Sequence, residues 1–432
     1  MAAALPVAKP TPLLEAQNPR PLADLCIDVI AENFASRPTL SGIPSRYTHR
    51  VTARLPTTLS LEVTGPLIDD EEYWRRCAVG RWDNCELAQH GSSWKRLFFE
   101  RNLQTYLESY DPARESNEDL VKVLSLSKDY VFSLRIRQLL HHPDLAMIFQ
   151  NVPTLSSLEL TYGVLEIGMD YERSLFGMHG LDVSSLSKAL SVTETLTVLS
   201  LPSNQLDDNA VRNLAKGIAI NATITVLDLS HNKIADRGVK ALAKLLSPAS
   251  VIVALDLCDN HVHADGGKYL GRALKVNSSL QSLNVRLNRL GDEGGRLLLE
   301  GCKFNATLGR LNLSCNDVHT EVSQVLYTML PKNGSLTDLD LSGNALDEPA
   351  ARLVRAAVEV NSTLRKVDLR LNKAEADTVA AIDELVKRNE LAYLRSLRRA
   401  QEGGAAGMGP PPPGTGVSRQ ESLRVGTAQG GS

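Results

Sequence analysis

Seven asparagines, Asn204, Asn232, Asn260, Asn288, Asn316, Asn344 and Asn372, follow one another at intervals of 28 residues. A fixed period of this length marks a repeat architecture rather than a single globular core. Each asparagine closes a block of apolar residues at constant offsets: Leu196, Leu199, Leu201 and Leu206 around Asn204, and Leu336, Leu339, Leu341 and Leu346 around Asn344. The other half of each period changes to helical spacing, with Val211, Leu214 and Ile218, then Val239, Leu242 and Leu246, then Leu270 and Leu274. Each unit therefore reads as strand, turn and helix. One unit has too few apolar side chains to offset the ordering of its own backbone, so neighbours must stack and the chain must wind into a curved α/β solenoid.

The asparagine column has a structural job. A buried amide both donates to and accepts from backbone groups left unpaired where the chain leaves a strand. A second column, Asn221, Asn277, Asn305, Asn333 and Asn361, falls at the helix ends, where asparagine tolerates a left-handed stop. These five also match N-x-[ST], but with no secretory signal expected they read as a repeat-end feature. The glycine pairs Gly266-Gly267 and Gly294-Gly295 follow the asparagines at a fixed offset and are expected in turns.

An earlier, degenerate repeat has Leu155, Leu158 and Leu160, with Gly163 in the asparagine position. Its helix columns, Val183, Leu186 and Leu190, still precede Val211, Leu214 and Ile218 by one period. The surplus length therefore lies at 164–177, an insertion between strand and helix. Such loops often carry function, and Tyr171, Glu172, Arg173 and Phe176 are candidate contacts there. Val121, Leu124, Leu126 and Asp129 suggest one more irregular repeat at the start of the array.

The flanks differ in composition. Residues 1–21 are rich in Pro and Ala and are expected to be disordered. Residues 22–120 hold all three tryptophans, Trp74, Trp82 and Trp94, and read as a mainly helical N-terminal domain with its own core. Its first helix, from Leu22 to Phe34, has Leu25, Val29 and Ile30 as its apolar stripe. The solenoid spans 121–386. A basic helix at 387–402, with Lys387, Arg388, Arg395, Arg398 and Arg399, is expected to cap it, and 403–432 is a disordered Gly/Pro-rich tail.

Several function classes drop out. Forty-seven Lys and Arg against 50 Asp and Glu give a net charge of -3, without the basic field that nucleic-acid binding needs. No apolar run reaches membrane-spanning length. The six cysteines lack metal-ligand spacing, and no phosphate-binding loop, nucleophile elbow or HExxH is present. His141 and His142 are adjacent and do not face each other, so neither a metal nor a catalytic site is expected. No cofactor is implied, and Cys258 and Cys315 are expected to be inert.

What remains is a surface. The strand positions between the leucines point away from the core, and one such column reads Ser200, Asp228, Asp256, Asn284, Asn312, Asp340 and Asp368. On strands about 4.8 Å apart these form a polar ladder across the concave side, partly neutralised by Arg286, Arg310, Lys366 and Arg370. It would suit a basic helix or coiled coil.

The block LxxLxLxxNxL with a 28-residue strand-helix alternation resembles the leucine-rich repeats of the ribonuclease-inhibitor-like class, which implies a horseshoe. The stretch DDEEYWRRCAVGRWDNCELAQHGSSWKRLFFERNLQTYLE, with Tyr73, Trp74, Arg75, Arg76, Cys77, Trp82, Trp94, Lys95, Arg96, Phe98, Phe99 and Glu100, resembles the T-complex-associated testis-expressed protein family of the dynein regulatory complex. That resemblance implies a non-catalytic scaffold in the cytoplasm and cytoskeleton of the ciliary or flagellar axoneme. Its partners would be other subunits of the complex, with the doublet microtubule contacted directly or through them, and neither nucleic acid nor membrane. A second resemblance, carried by Leu55, Pro56, Leu59, Val63, Leu67, Asp69, Trp82 and Trp94, is to an F-box, which would make the chain a substrate receptor of a ubiquitin ligase.

Overall fold

The computed structural model describes residues 20–165, 172 and 175–405, with the backbone alone for 400–405. Six helices come first: α1 (Leu22–Glu32), α2 (Ser45–Thr52), α3 (Leu61–Leu67), α4 (Glu71–Val79), α5 (Trp94–Ser109) and α6 (Asn117–Ser127). Strands and helices then alternate: β1 (Ser133–Ile136), α7 (Leu145–Asn151), β2 (Ser157–Leu160), α8 (Gly180–Leu190), β3 (Val198–Ser200), α9 (Asp208–Ile220), β4 (Val226–Asp228) and α10 (Asp236–Leu245). The series continues through β5 (Ala254–Asp256), α11 (Ala264–Leu274), β6 (Ser282–Asn284), α12 (Gly291–Cys302), β7 (Arg310–Asn312), α13 (Thr320–Met329), β8 (Asp338–Asp340), α14 (Glu348–Val360), β9 (Lys366–Asp368) and α15 (Ala376–Ala405). The nine strands form one parallel sheet in sequence order, a leucine-rich repeat solenoid. The central strand residues Leu199, Leu227, Leu255, Leu283, Leu311, Leu339 and Val367 are buried against the helix residues of the repeat pattern.

The asparagine ladder joins successive units. Asn260 donates from Nδ2 to the carbonyls of Leu229, Leu257 and Cys258, and its Oδ1 accepts from Ile234 N–H at 3.0 Å. Asn232, Asn288, Asn344 and Asn372 repeat this pattern of reaching back one unit. Asn316 departs from it: its Oδ1 is buried without a partner. The chain turns early there, at left-handed Gly291, whose N–H bonds the Asn316 backbone carbonyl instead.

Before each ladder asparagine stands a residue with positive φ, namely Ser203, His231, Asp259, Leu287, Cys315, Gly343 and Leu371. This left-handed step turns the chain out of the strand. It also shows that the solenoid tolerates local strain at six non-glycine positions in this column.

The glycine pairs lie inside helices rather than turns. A Cβ on Gly267 would sit 2.4 Å from Gly294 O, and Cβ atoms on Gly271 and Gly301 would each sit 2.2 Å from a backbone oxygen of the facing helix. These glycines let α11 and α12 approach backbone to backbone.

Three other expectations change. On α1 the buried side is Ile27 and Ala31, continued by Phe34, whereas Leu25 and Val29 are 46% and 58% exposed. Arg50 of α2 and Arg54, in the turn after it, pair with Asp24 and Asp28 and help to set which face turns inward. Val121, Leu124 and Leu126 lie on α6, and the first strand begins later, at Ser133. The basic C-terminal segment is no separate helix. It continues α15, which starts at Ala376 and runs to Ala405. Asn389, one period after Asn361, still donates to Asn361 O and Leu364 O, but the helix carries on past it.

One hydrophobic cluster runs from Ile27 to Val386 without a break at residue 120. Trp74 packs on Phe98 and on Phe99 at ring centroid distances of 5.3 Å each, and Phe99 meets Tyr130 at 4.5 Å. Helix α5 also closes the sheet edge electrostatically. In the array, two consecutive N–H groups of each strand converge on one carbonyl of the strand before, as Thr225 and Val226 do on Thr197 O. On β1, Phe132 and Ser133 N–H converge instead on Glu100 Oε1, at 2.9 and 2.8 Å. Arg137 N–H bonds Glu108 Oε1 at 3.0 Å, where Thr161 uses Ile136 O one unit on. Two carboxylates of α5 thus stand in for a missing strand.

Candidate protein-binding face

The strand register aligns Ser200, Asp228, Asp256, Asn284, Asn312, Asp340 and Asp368 across seven successive strands. The same column continues backwards to Glu159 and Arg135, which form an ion pair at 2.7 Å. The degenerate first repeats hid these two positions from a motif search. Register alone adds them.

Except for buried Ser200, the members of the seven-residue column are half-buried, because each also serves its own backbone. Oδ1 accepts from the N–H two residues on: Asp228 from Ser230, Asp256 from Cys258, Asn284 from Arg286, Asn312 from Ser314, Asp340 from Ser342 and Asp368 from Arg370. This bond holds the bend after the strand. The second oxygen faces along the column, where Asp228 Oδ2 accepts from Ser200 Oγ at 2.7 Å and Asp256 Oδ2 from Asn284 Nδ2 at 2.9 Å.

The charge is uneven. Burial, with Asp228 on the neighbouring strand adding repulsion, raises the Asp256 carboxyl above its usual range. At the far end Arg370 folds onto Asp368, donating from Nε at 3.0 Å, and holds that carboxyl below its usual range. The unneutralised negative charge therefore sits around Asp228 and Asp256, with Arg286, Arg310 and Lys366 toward the C-terminal half. A cation placed between Asp228 and Asp256 would relieve the repulsion there.

Of the insertion candidates, Glu172 and Phe176 are among the described residues. Glu172 is exposed. Phe176 turns inward: a Cβ on Gly163 would lie 2.7 Å from its ring, and its carbonyl accepts from Gln205 Nε2. Phe176 thus fills the place beside the glycine that stands in the asparagine column. Tyr171 and Arg173 lie outside the described residues.

Burial, with Asp256 adjacent, pushes the Cys258 thiol up to about 11, and burial alone pushes Cys302 up to about 12. Both stay protonated at neutral pH. Among the described residues no helix is long and apolar enough to cross a membrane.

The family model described as Leucine Rich repeat matches residues 221–243 and 276–299. A curated relative from Chlamydomonas reinhardtii, named Dynein regulatory complex subunit 5, is 51% identical over 193 residues, covering 44% of this chain and 50% of the relative. Proteins of the same name from Mus musculus and Homo sapiens are 33% and 32% identical over 219 residues, covering 44% of this chain and 44% of each relative. The chain spans half or less of the length of the curated relatives it matches. The chain thus folds as a leucine-rich repeat solenoid and is similar, over less than half of its length, to curated proteins named dynein regulatory complex subunit 5.

Proposed function

We propose that the chain is a non-catalytic scaffold subunit of the nexin-dynein regulatory complex of the ciliary or flagellar axoneme. Its solenoid docks partner subunits and so helps to regulate dynein-driven motility. The observation that carries this reading is the 51% identity over 193 residues to the Chlamydomonas protein of that name. The docking face is the concave ladder, and the occupant is a basic helical or coiled-coil segment of another subunit. The doublet microtubule is held directly or through that partner. The register that brings Asp228 beside Asp256 supports the choice of face.

The ladder can be tested without disturbing the fold. Asp256→Asn combined with Asp340→Asn keeps each Oδ1 acceptor for the N–H two residues on and removes two charges. Capture of a basic coiled-coil subunit should weaken tenfold or more, about 1.4 kcal/mol. Urea unfolding should stay within about 1 kcal/mol of the parent. Unaltered capture would put the interface on another face.

A further inference from the structure

The adjacent histidines 141 and 142 do not meet, but His142 meets a third. His142 lies in the turn before α7, whereas His179 immediately precedes α8 and Asp182 sits in its first turn. The His142 and His179 rings stack at 3.9 Å and 17°. His142 Nδ1 is 2.7 Å from Asp182 Oδ2, and the same oxygen accepts from His179 N–H at 2.8 Å. Ligand atoms of the three side chains lie within 4.8 Å of one another. A tetrahedral ion with nitrogen and oxygen ligands sets its donors about 3.3 Å apart, so small side-chain rotations would bring these three into one coordination sphere.

A separate observation points into the same place. Tyr162 is 1% exposed and stacks on His142 at 4.9 Å and 11°. Its hydroxyl is buried and finds no acceptor within 3.5 Å, the Asp182 carboxylate interacting with it only at longer range. A buried donor without an acceptor is costly, and a ligand held beside Asp182 would supply the acceptor.

We propose that His142, His179 and Asp182 bind one divalent ion of the zinc class, with a water as fourth ligand that accepts from the Tyr162 hydroxyl. Two imidazole nitrogens and one carboxylate suit zinc or cobalt rather than calcium or magnesium, which take oxygen donors. The ion is structural. His142 belongs to one repeat and His179 and Asp182 to the next, on either side of β2, where Gly163 replaces the ladder asparagine. A metal bridge there does for the first two units what the asparagine amides do for the others. This departs from the expectation that the chain holds no metal.

The test uses the full chain, stripped with a chelator and titrated with cobalt(II). The visible absorption of tetrahedral cobalt should saturate at one equivalent, without a thiolate-to-cobalt band, and zinc should displace it. Zinc should also raise the thermal midpoint. His179→Ala removes an exposed side chain and should weaken cobalt binding at least tenfold with unchanged circular dichroism. His142→Gln should do the same, whereas Tyr162→Phe should keep the band and weaken binding only a few-fold. No cobalt band in the parent chain would overturn the proposal. So would a band that persists in both histidine variants, or one of thiolate character that places the ion on cysteines.

Discussion

Glu100→Ala is expected to lower stability by about 3–5 kcal/mol, because it removes one member of a buried charged cluster and leaves the others unpaired. Glu100 is 2% exposed. Its Oε1 accepts from Phe132 and Ser133 N–H and from Arg96 Nε at 2.8 Å, while Oε2 meets His90 Nδ1 at 2.5 Å. Glu100→Gln retains an acceptor for the strand and should lose clearly less. The damage should also be local. Amide exchange should quicken at β1 and β2 and stay unchanged at β8 and β9, since each unit of a solenoid touches mainly its neighbours. A loss below about 1 kcal/mol would mean that the β1 edge does not depend on α5. The same geometry bears on a chain that begins at residue 121. It would lack both Glu100 and Glu108 and expose the apolar side of β1, so it should aggregate rather than fold as a free array.

Asn260→Ala should cost about 2–3 kcal/mol, since it leaves the Ile234 N–H without a partner and takes one of two donors from the carbonyls of Leu229, Leu257 and Cys258, which keep Asn232 Nδ2, Asn288 Nδ2 and the His231 N–H. The ladder contains its own control. Asn316 makes the same three donations but its Oδ1 has no bond to lose. Asn316→Ala should therefore cost about 1 kcal/mol less than Asn260→Ala, as read by urea unfolding of both variants. Equal losses would mean that the Oδ1 bond to the preceding unit contributes nothing measurable.

The repeating half of the molecule was legible because a 28-residue period fixes register. The same offset that aligns Asn204 with Asn372 aligns the concave column from Ser200 to Asp368, whereas Glu159 and Arg135 join it off the period, through strand register alone. What escaped were contacts that obey no period. Gly267 and Gly294 resemble turn residues until α11 and α12 are seen in backbone contact. The inward side of α1 is set in part by the Arg50 and Arg54 pairs to Asp24 and Asp28, and both faces of that helix carry apolar residues. Glu100 carries no local signal that it imitates a strand carbonyl. His142, His179 and Asp182 come together only because the solenoid stacks one unit on the next across an insertion, which no ligand spacing in the sequence reports.

The most direct test of the scaffold reading is the position of a tagged copy of the chain in a ciliated cell, followed by salt extraction of the isolated axonemes. The expected signal is retained along the doublets and lost in cells that lack the dynein regulatory complex. A diffuse cytosolic signal, with the Skp adaptor and a cullin co-purifying, would contradict it and favour the F-box resemblance of residues 55–94.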